Sequence, residues 1–456
     1  YGVGAAPGKL CFLFPGEGSQ YPQMLGDVAT HFPCVRDWFD FIEHSALGRG
    51  SPSRAAVLFP PPTGLTEAQR REREDRLYGM DTAAESVFAA GMGLHALFTE
   101  LGFAPDALLG HSTGENTALT AGKVNRAKDR GAIARAVTDL NGLYQQLEAS
   151  GQITEGTLLT VGGLTAVLRK ELLEQIKTPG SAVQLAMDNC PNQVVLFGSS
   201  APITVLKAEL SAAGALCAAL PFGRAYHTPL FKPLADAFRG YFKTLDIGPA
   251  NATLYSACSV GPFPDDPDAI RELCCRQWEQ PVRFTDTLRR LYDDGVRVFL
   301  EIGPSGNLTA FVGDTLRDKA DALALASNNR RKGGMAQLHA TLAQLFAAGV
   351  PFSPAALFQH RQIASLDLMS APRGLGKPRL ALKLLMPTLT VPEALRKPLP
   401  SAVAVVAAAP APAPTAVLAA PVAAAAPRDA RLAALDAHFS LMQDFLDSQA
   451  RVLGLA

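Results

Sequence analysis

Apolar residues along the first 370 or so positions of this chain fall in short runs that stop at glycine turns. Leu10 to Phe14 is one, rich in aromatics and suited to a buried parallel strand, and Pro15-Gly16-Glu17-Gly18-Ser19-Gln20 closes it. Leu108-Leu109 is a second, closed by Gly110-His111-Ser112-Thr113-Gly114-Glu115, and Val298 to Ile302 a third, closed by Gly303-Pro304-Ser305-Gly306. Between them apolar positions recur at helical spacing, as in Thr82 to Leu101, which predicts a helix feeding the strand before Gly110. Parallel strands whose carboxyl ends converge in such turns build the rim where open α/β folds bind ligands. The turn after Phe14 reads equally well as part of that rim or as a plain strand-to-helix turn.

After residue 150 the order of element types changes. Leu158 to Val161 predicts a strand, Leu164 to Ile176 a helix, Ala182 to Ala186 and Val194 to Phe197 two strands, Pro202 to Ala213 a helix and Leu216 to Leu220 a last strand. This β-α-β-β-α-β order is the ferredoxin-like arrangement, with both helices on one face of an antiparallel sheet. It predicts a small subdomain at 151–221 inserted into a core made of 9–150 and 222–370. Ser51 to Thr63 reads as a loop, and the charge run Glu67 to Glu74 as a solvated helix face. Residues 371–400 read as an irregular linker. Residues 401–427, almost wholly Ala, Pro and Val, read as a linker too uniform to specify a core. In 428–456, Leu432, Leu435, Phe439, Met442 and Leu446 keep helical steps and predict an amphipathic helix directed towards a next domain.

Length and charge narrow the functional classes. With 456 residues the chain holds two or three compact units, and 42 basic against 42 acidic residues leave no net field to draw nucleic acid or an anionic membrane. Seven cysteines, with no C-x-x-C pair, read as reduced, buried thiols, and no metal-ligand spacing is present. No run reaches the ~18 apolar residues of a membrane span, so a soluble, cytoplasmic protein is expected. The chain starts at Tyr1 without Met, which suggests a piece of a longer polypeptide; Gly2 to Gly8 reads as linker.

Gly110 to Gly114 is the candidate chemistry. A G-x-S-x-G turn between a strand and a helix pushes the serine hydroxyl out at the helix N-terminus, where the Thr113 N–H and the helix dipole favour an oxyanion. The same spacing also serves simple tight turns. His227, in Arg224-Ala225-Tyr226-His227-Thr228-Pro229, is the candidate partner, although a single histidine is more often a surface or core residue.

Taken together, these phrases resemble the acyltransferase domains of polyketide and fatty-acid synthases, the malonyl-transferase-like family. Phe14 to Gln20 is similar to its F-P-G-Q-G-S-Q opening, Gly110 to Glu115 to its G-H-S-x-G-E elbow and Tyr226 to Pro229 to its F-H-S-P motif. Asn189 to Pro191, Pro281 to Phe284 and Glu301 to Pro304 match its N-x-P, P-V-x-F and E-x-G-P phrases in order, so the resemblance covers about residues 9 to 370. It implies an α/β-hydrolase-like core with the ferredoxin-like insert, and a tail joining the domain to downstream modules. Asp447-Ser448 lacks the surroundings of a carrier-protein serine and is not read as one.

The resemblance also implies roles. Ser112 is the nucleophile and His227 its base, oriented by a backbone carbonyl that falls by position on Arg283; the backbone N–H groups of Glu17 and Thr113 hold the oxyanion. His111, Asn189, Arg224, Ala225 and Tyr226 face the acyl group and tune selectivity. Acyl-CoA is the donor, with no bound cofactor, and the acceptor is an acyl carrier protein with its phosphopantetheine arm. A ketosynthase and downstream domains of the same megasynthase are the expected neighbours. Two residues depart from the family pattern. Glu17 stands where the family has Gln, and Ala136 and Val137 stand where malonyl-handling members place an arginine. A buried carboxylate without a partner costs several kcal/mol, so a simple fatty-acyl or acetyl group is favoured. Malonyl transfer through a displaced Arg130, Arg135 or Arg224 is the alternative, since Arg224 to His227 resembles the malonyl-type H-A-F-H. A thioester hydrolase and an inactive docking module are the other readings.

Overall fold

The computed structural model describes residues 8–358 apart from 62, 63, 179, 221 and 222. The predicted linkers at 371–400 and 401–427 and the helix at 428–456 lie outside the described residues.

Eleven strands are described, in chain order β1 (Lys9–Phe14), β2 (Ala107–Gly110), β3 (Thr157–Gly162), β4 (Val183–Cys190), β5 (Gln193–Gly198), β6 (Leu216–Ala219), β7 (Thr253–Ser256), β8 (Gly261–Pro262), β9 (Val282–Arg283), β10 (Val296–Glu301) and β11 (Leu323–Ala326). The larger sheet runs β11-β10-β1-β2-β7-β8, parallel except for β8. Helices cover both faces, so β1 buries five of its six residues in one unbroken apolar run instead of alternating. Phe14 pairs with Gly110 and Leu13 with Glu301, which brings the three glycine turns side by side at one edge. The amides of His111 and Ile302 extend the ladder onto the carbonyls of Phe14 and Leu13, at 2.9 and 2.8 Å.

The smaller sheet runs β6-β3-β5-β4-β9, the first three pairings antiparallel and the last parallel. Leu159, Val194 and Leu196 face the helices Ala166–Lys177 and Ser200–Ala212, while Leu158, Val195 and Phe197 face the main core. The strands therefore alternate between two apolar environments, and the face without helices closes over the turn edge of the larger sheet. The strand predicted to stop at Ala186 continues to Cys190, because the polar Asp188 and Asn189 find partners: Asp188 takes the Arg169 guanidinium at 2.7 Å and pairs in register with Arg283. Arg54–Leu58 is a short helix inside the predicted loop 51–63, capped by Ser53. Among the described residues no helix is long and apolar enough to cross a membrane.

Candidate active site

Ser112 lies between β2 and the helix Gly114–Ala121, with φ of 55°, a left-handed conformation that side chains rarely adopt. The two glycines make this turn sterically feasible. A Cβ at Gly110 would collide with the backbone of Gly114 and Glu115, and one at Gly114 with the Phe14 carbonyl. The spacing is thus a packing requirement between β1, β2 and the helix.

His227 shares the left-handed conformation, φ 58°, and is 1% exposed. Its Nε2 is 2.7 Å from Ser112 Oγ, although 115 residues separate them in sequence. Its Nδ1 donates to the Gln277 carbonyl at 2.8 Å, and its amide to the Trp278 carbonyl at 3.0 Å. A carbonyl only accepts, so Nδ1 carries the proton and Nε2 of the neutral ring is left to accept from the serine. The carbonyl expected from Arg283 is therefore supplied by Gln277. Residue 277 caps the helix Pro267–Arg276, where last-turn carbonyls have no partner within the helix. The Arg283 carbonyl instead accepts from Thr287 Oγ1 at 2.8 Å, and its residue is committed to the β4 pairing. Burial pushes the His227 pKa down to about 4, with the Gln277 hydrogen bond pulling the other way. The ring is neutral at ordinary pH.

The Glu17 N–H donates to Thr113 Oγ1 at 3.0 Å. Among the described residues the Thr113 N–H has no acceptor. One of the two expected oxyanion donors is thus held by a neighbouring hydroxyl and the other is open. His111 sits edge-on to Phe284, and its Nε2 is 2.7 Å from Asn189 Oδ1; Asn189 Nδ2 in turn donates to Gln193 Oε1 at 2.9 Å. Burial pushes the His111 pKa down as well.

The cavity at Ser112 holds about 140 Å³ and is lined by turn backbone, by His111, Asn189, Gln193 and Thr160, and by Met187, Val195 and Phe311. Glu17 also lines it, and among the described lining residues there is no lysine or arginine. Ala225 and Tyr226 are buried in the core. Arg224 lies over the Tyr144 ring at 5.0 Å, pairs with Glu148 at 3.2 Å and lines a separate outer cleft. Arg130 lies over Trp38 near Asp37, and Arg135 is exposed. A second cavity of about 120 Å³ is lined by Thr113 together with Phe88, Leu119, Ile133, Ala136, Val137 and Leu140 among others.

Sequence reading gave no role to two further groups. Gln277 acts through its main chain, which leaves no residue-type signal. Glu115, 2% exposed, takes the Ser256 hydroxyl on both oxygens at 3.1 and 3.2 Å, and burial lifts its pKa to about 8. A lone acid on the buried face of the helix Gly114–Ala121 was its available signal. Among the described residues no three His, Cys, Asp or Glu side chains gather as a metal would need.

This arrangement can pass a serine proton to a neutral imidazole and present an amide to developing negative charge. Residues 11–351 match the family profile described as the acyl transferase domain. The chain is 28% identical over 306 residues to the malonyl CoA-acyl carrier protein transacylase of Bacillus subtilis, covering 67% of this chain and 89% of that one. It is 27% identical over 355 residues to one of the polyunsaturated fatty acid synthase polypeptides of a Thraustochytrium species, covering 76% of this chain but 12% of that much longer protein. Among solved structures, the acyltransferase domain from the second module of the salinomycin polyketide synthase superposes with a TM-score of 0.64 at 26% identity, over 79% of each chain. The profile match runs over far more than half of the chain and takes in both the serine turn and the histidine that meets it: the chain belongs to the acyl transferase domain family, and it is an acyltransferase.

Proposed function

We propose that the domain transfers an acyl group from coenzyme A to Ser112 and then to the phosphopantetheine thiol of an acyl carrier protein, in two half-reactions. The 2.7 Å contact between Ser112 Oγ and His227 Nε2 carries this reading. Oγ attacks the thioester carbonyl while its proton moves to Nε2, and the tetrahedral oxyanion rests on the Thr113 N–H and, once the Thr113 hydroxyl turns aside, on the Glu17 N–H. Collapse expels the CoA thiolate, which takes the proton from the imidazolium. The carrier thiol then gives its proton to His227 and attacks the acyl-serine, and the departing serine oxygen takes that proton back.

The acyl group is one without a carboxylate. Support comes from a Ser112 cavity with no cation among its described lining residues, and from Ala136, Val137 and Leu140 lining the apolar cavity where malonyl-handling relatives would place an arginine. Malonyl is the second reading, because the Bacillus relative is named for it. The carrier partner is supported by a solved complex of a malonyl-transacylase with its acyl-carrier protein, 26% identical to this chain with a TM-score of 0.60. A place in a larger synthase is supported by the Thraustochytrium relative, of which the chain spans 12%.

Intact-protein mass spectrometry after exposure to a mixture of acetyl-, malonyl- and longer acyl-CoA tests this. The expected result is a neutral acyl adduct on Ser112, lost in Ser112→Ala and passed on when holo carrier is added. Rapid release of free acid with carrier present would assign a hydrolase instead, and a malonyl adduct alone would overturn the acyl preference.

A further inference from the structure

Acyl transfer uses the Glu17 backbone and leaves its side chain without a task. Residue 17 lines the cavity of the reacting serine. Its Oε1 is sealed from solvent and, among the described residues, accepts no hydrogen bond. Burial of an unpaired charge is costly; it lifts the carboxyl to about 7 against the pull of Arg224, so the anion prevails only above that pH.

The surroundings do not neutralise it. Arg224, Tyr226 and Tyr144 are the charged and titratable groups felt by the carboxyl. Arg224, however, already holds Glu148 at 3.2 Å, and these two opposite charges offset each other. On the serine side, burial keeps the rings of His111 and His227 neutral. An acyl group entering this cavity therefore meets one acid and, among the described lining residues, no cation.

We infer that Glu17 is a charge filter, whose carboxylate excludes acyl groups that carry a carboxylate of their own and so reserves Ser112 for neutral acyl thioesters. The missing arginine removes an attraction; Glu17 adds a repulsion, and discrimination between close substrates commonly uses both. This inference rests on the acyltransferase reading, which its test keeps separate.

The experiment supplies equimolar acetyl-CoA and malonyl-CoA to the full chain at pH 8, above the value of about 7 to which burial lifts Glu17 against the pull of Arg224. The ratio of malonyl to acetyl adduct on Ser112 is the readout, so a change in absolute rate does not confuse it. Glu17→Gln is expected to raise that ratio by ~10-fold or more, equivalent to ~1.4 kcal/mol, while Glu17→Asp, which keeps the charge, leaves it low. Should the glutamine variant not fold, Glu148→Gln at the exposed end of the cluster releases Arg224 towards Glu17 and is expected to raise the ratio by a smaller factor. An unchanged or lowered ratio in these variants overturns the filter, and a lowered one would mean that the carboxyl binds substrate. Absence of any Ser112 adduct in the unaltered protein overturns the acyltransferase reading itself.

Discussion

Two cavities of similar size, about 140 and 120 Å³, are lined by the consecutive residues Ser112 and Thr113 respectively and are built in opposite ways. The one at Ser112 is framed by glycine turns and by side chains whose hydrogen bonds are made to one another. The one beneath Val137 is framed mainly by apolar side chains from helices far apart in sequence. The difference separates two tasks. Backbone geometry fixes how the serine reacts, and side-chain chemistry decides what it reacts with.

Removing the base is the largest blow to that division. His227→Ala is expected to slow acylation by ~10²- to 10⁴-fold for acetyl and malonyl donors alike, measured as the rate of Ser112 adduct formation. A change in the ratio between donors would show that the histidine also selects. In the unaltered protein the rate with acetyl-CoA should stay flat from pH 8 downwards and fall only as the ring protonates near pH 4, the value to which burial lowers it.

Val137→Arg tests the other side. Adding a cation to the cavity lined by Thr113 and Val137 is expected to raise the malonyl to acetyl ratio by ~10-fold with little change in the pH profile. If the profile moves instead, the cavities are not independent.

The smallest effect concerns stability. Burial lifts Glu115 from its ordinary 4.5 to about 8, opposed by the Ser256 hydrogen bond. Because the folded value lies above the unfolded one, its contribution is fully present below about pH 4.5 and is lost as pH rises to about 8. Glu115→Gln should therefore raise the melting temperature at pH 8 by a few degrees and leave it nearly unchanged at pH 4.5, in a pair of thermal melts.

What could be read from the sequence follows the same division. Gly110 and Gly114 are legible because each keeps a backbone contact that any side chain would block, and such contacts repeat wherever the turn is built. The β-α-β-β-α-β order is legible because each element carries its own apolar pattern. The smaller sheet's second buried face is not, since β3 and β5 read as apolar runs whichever core they serve. The length of β4 was hidden by Asp188 and Asn189, polar residues that suggest a loop until Arg169 and His111 are seen beside them. The pairing of Arg224 with Glu148 across 76 positions has no local signature at all.

The atom that orients the catalytic ring, the carbonyl at 277, belongs to the main chain. No codon change there can delete it, so a saturation library should find position 277 permissive wherever the replacement fits its nearly closed site. Selection would fall instead on whatever ends the helix at that point, and a variant that lengthened the helix by one turn could disarm the enzyme without touching any side chain in its active site.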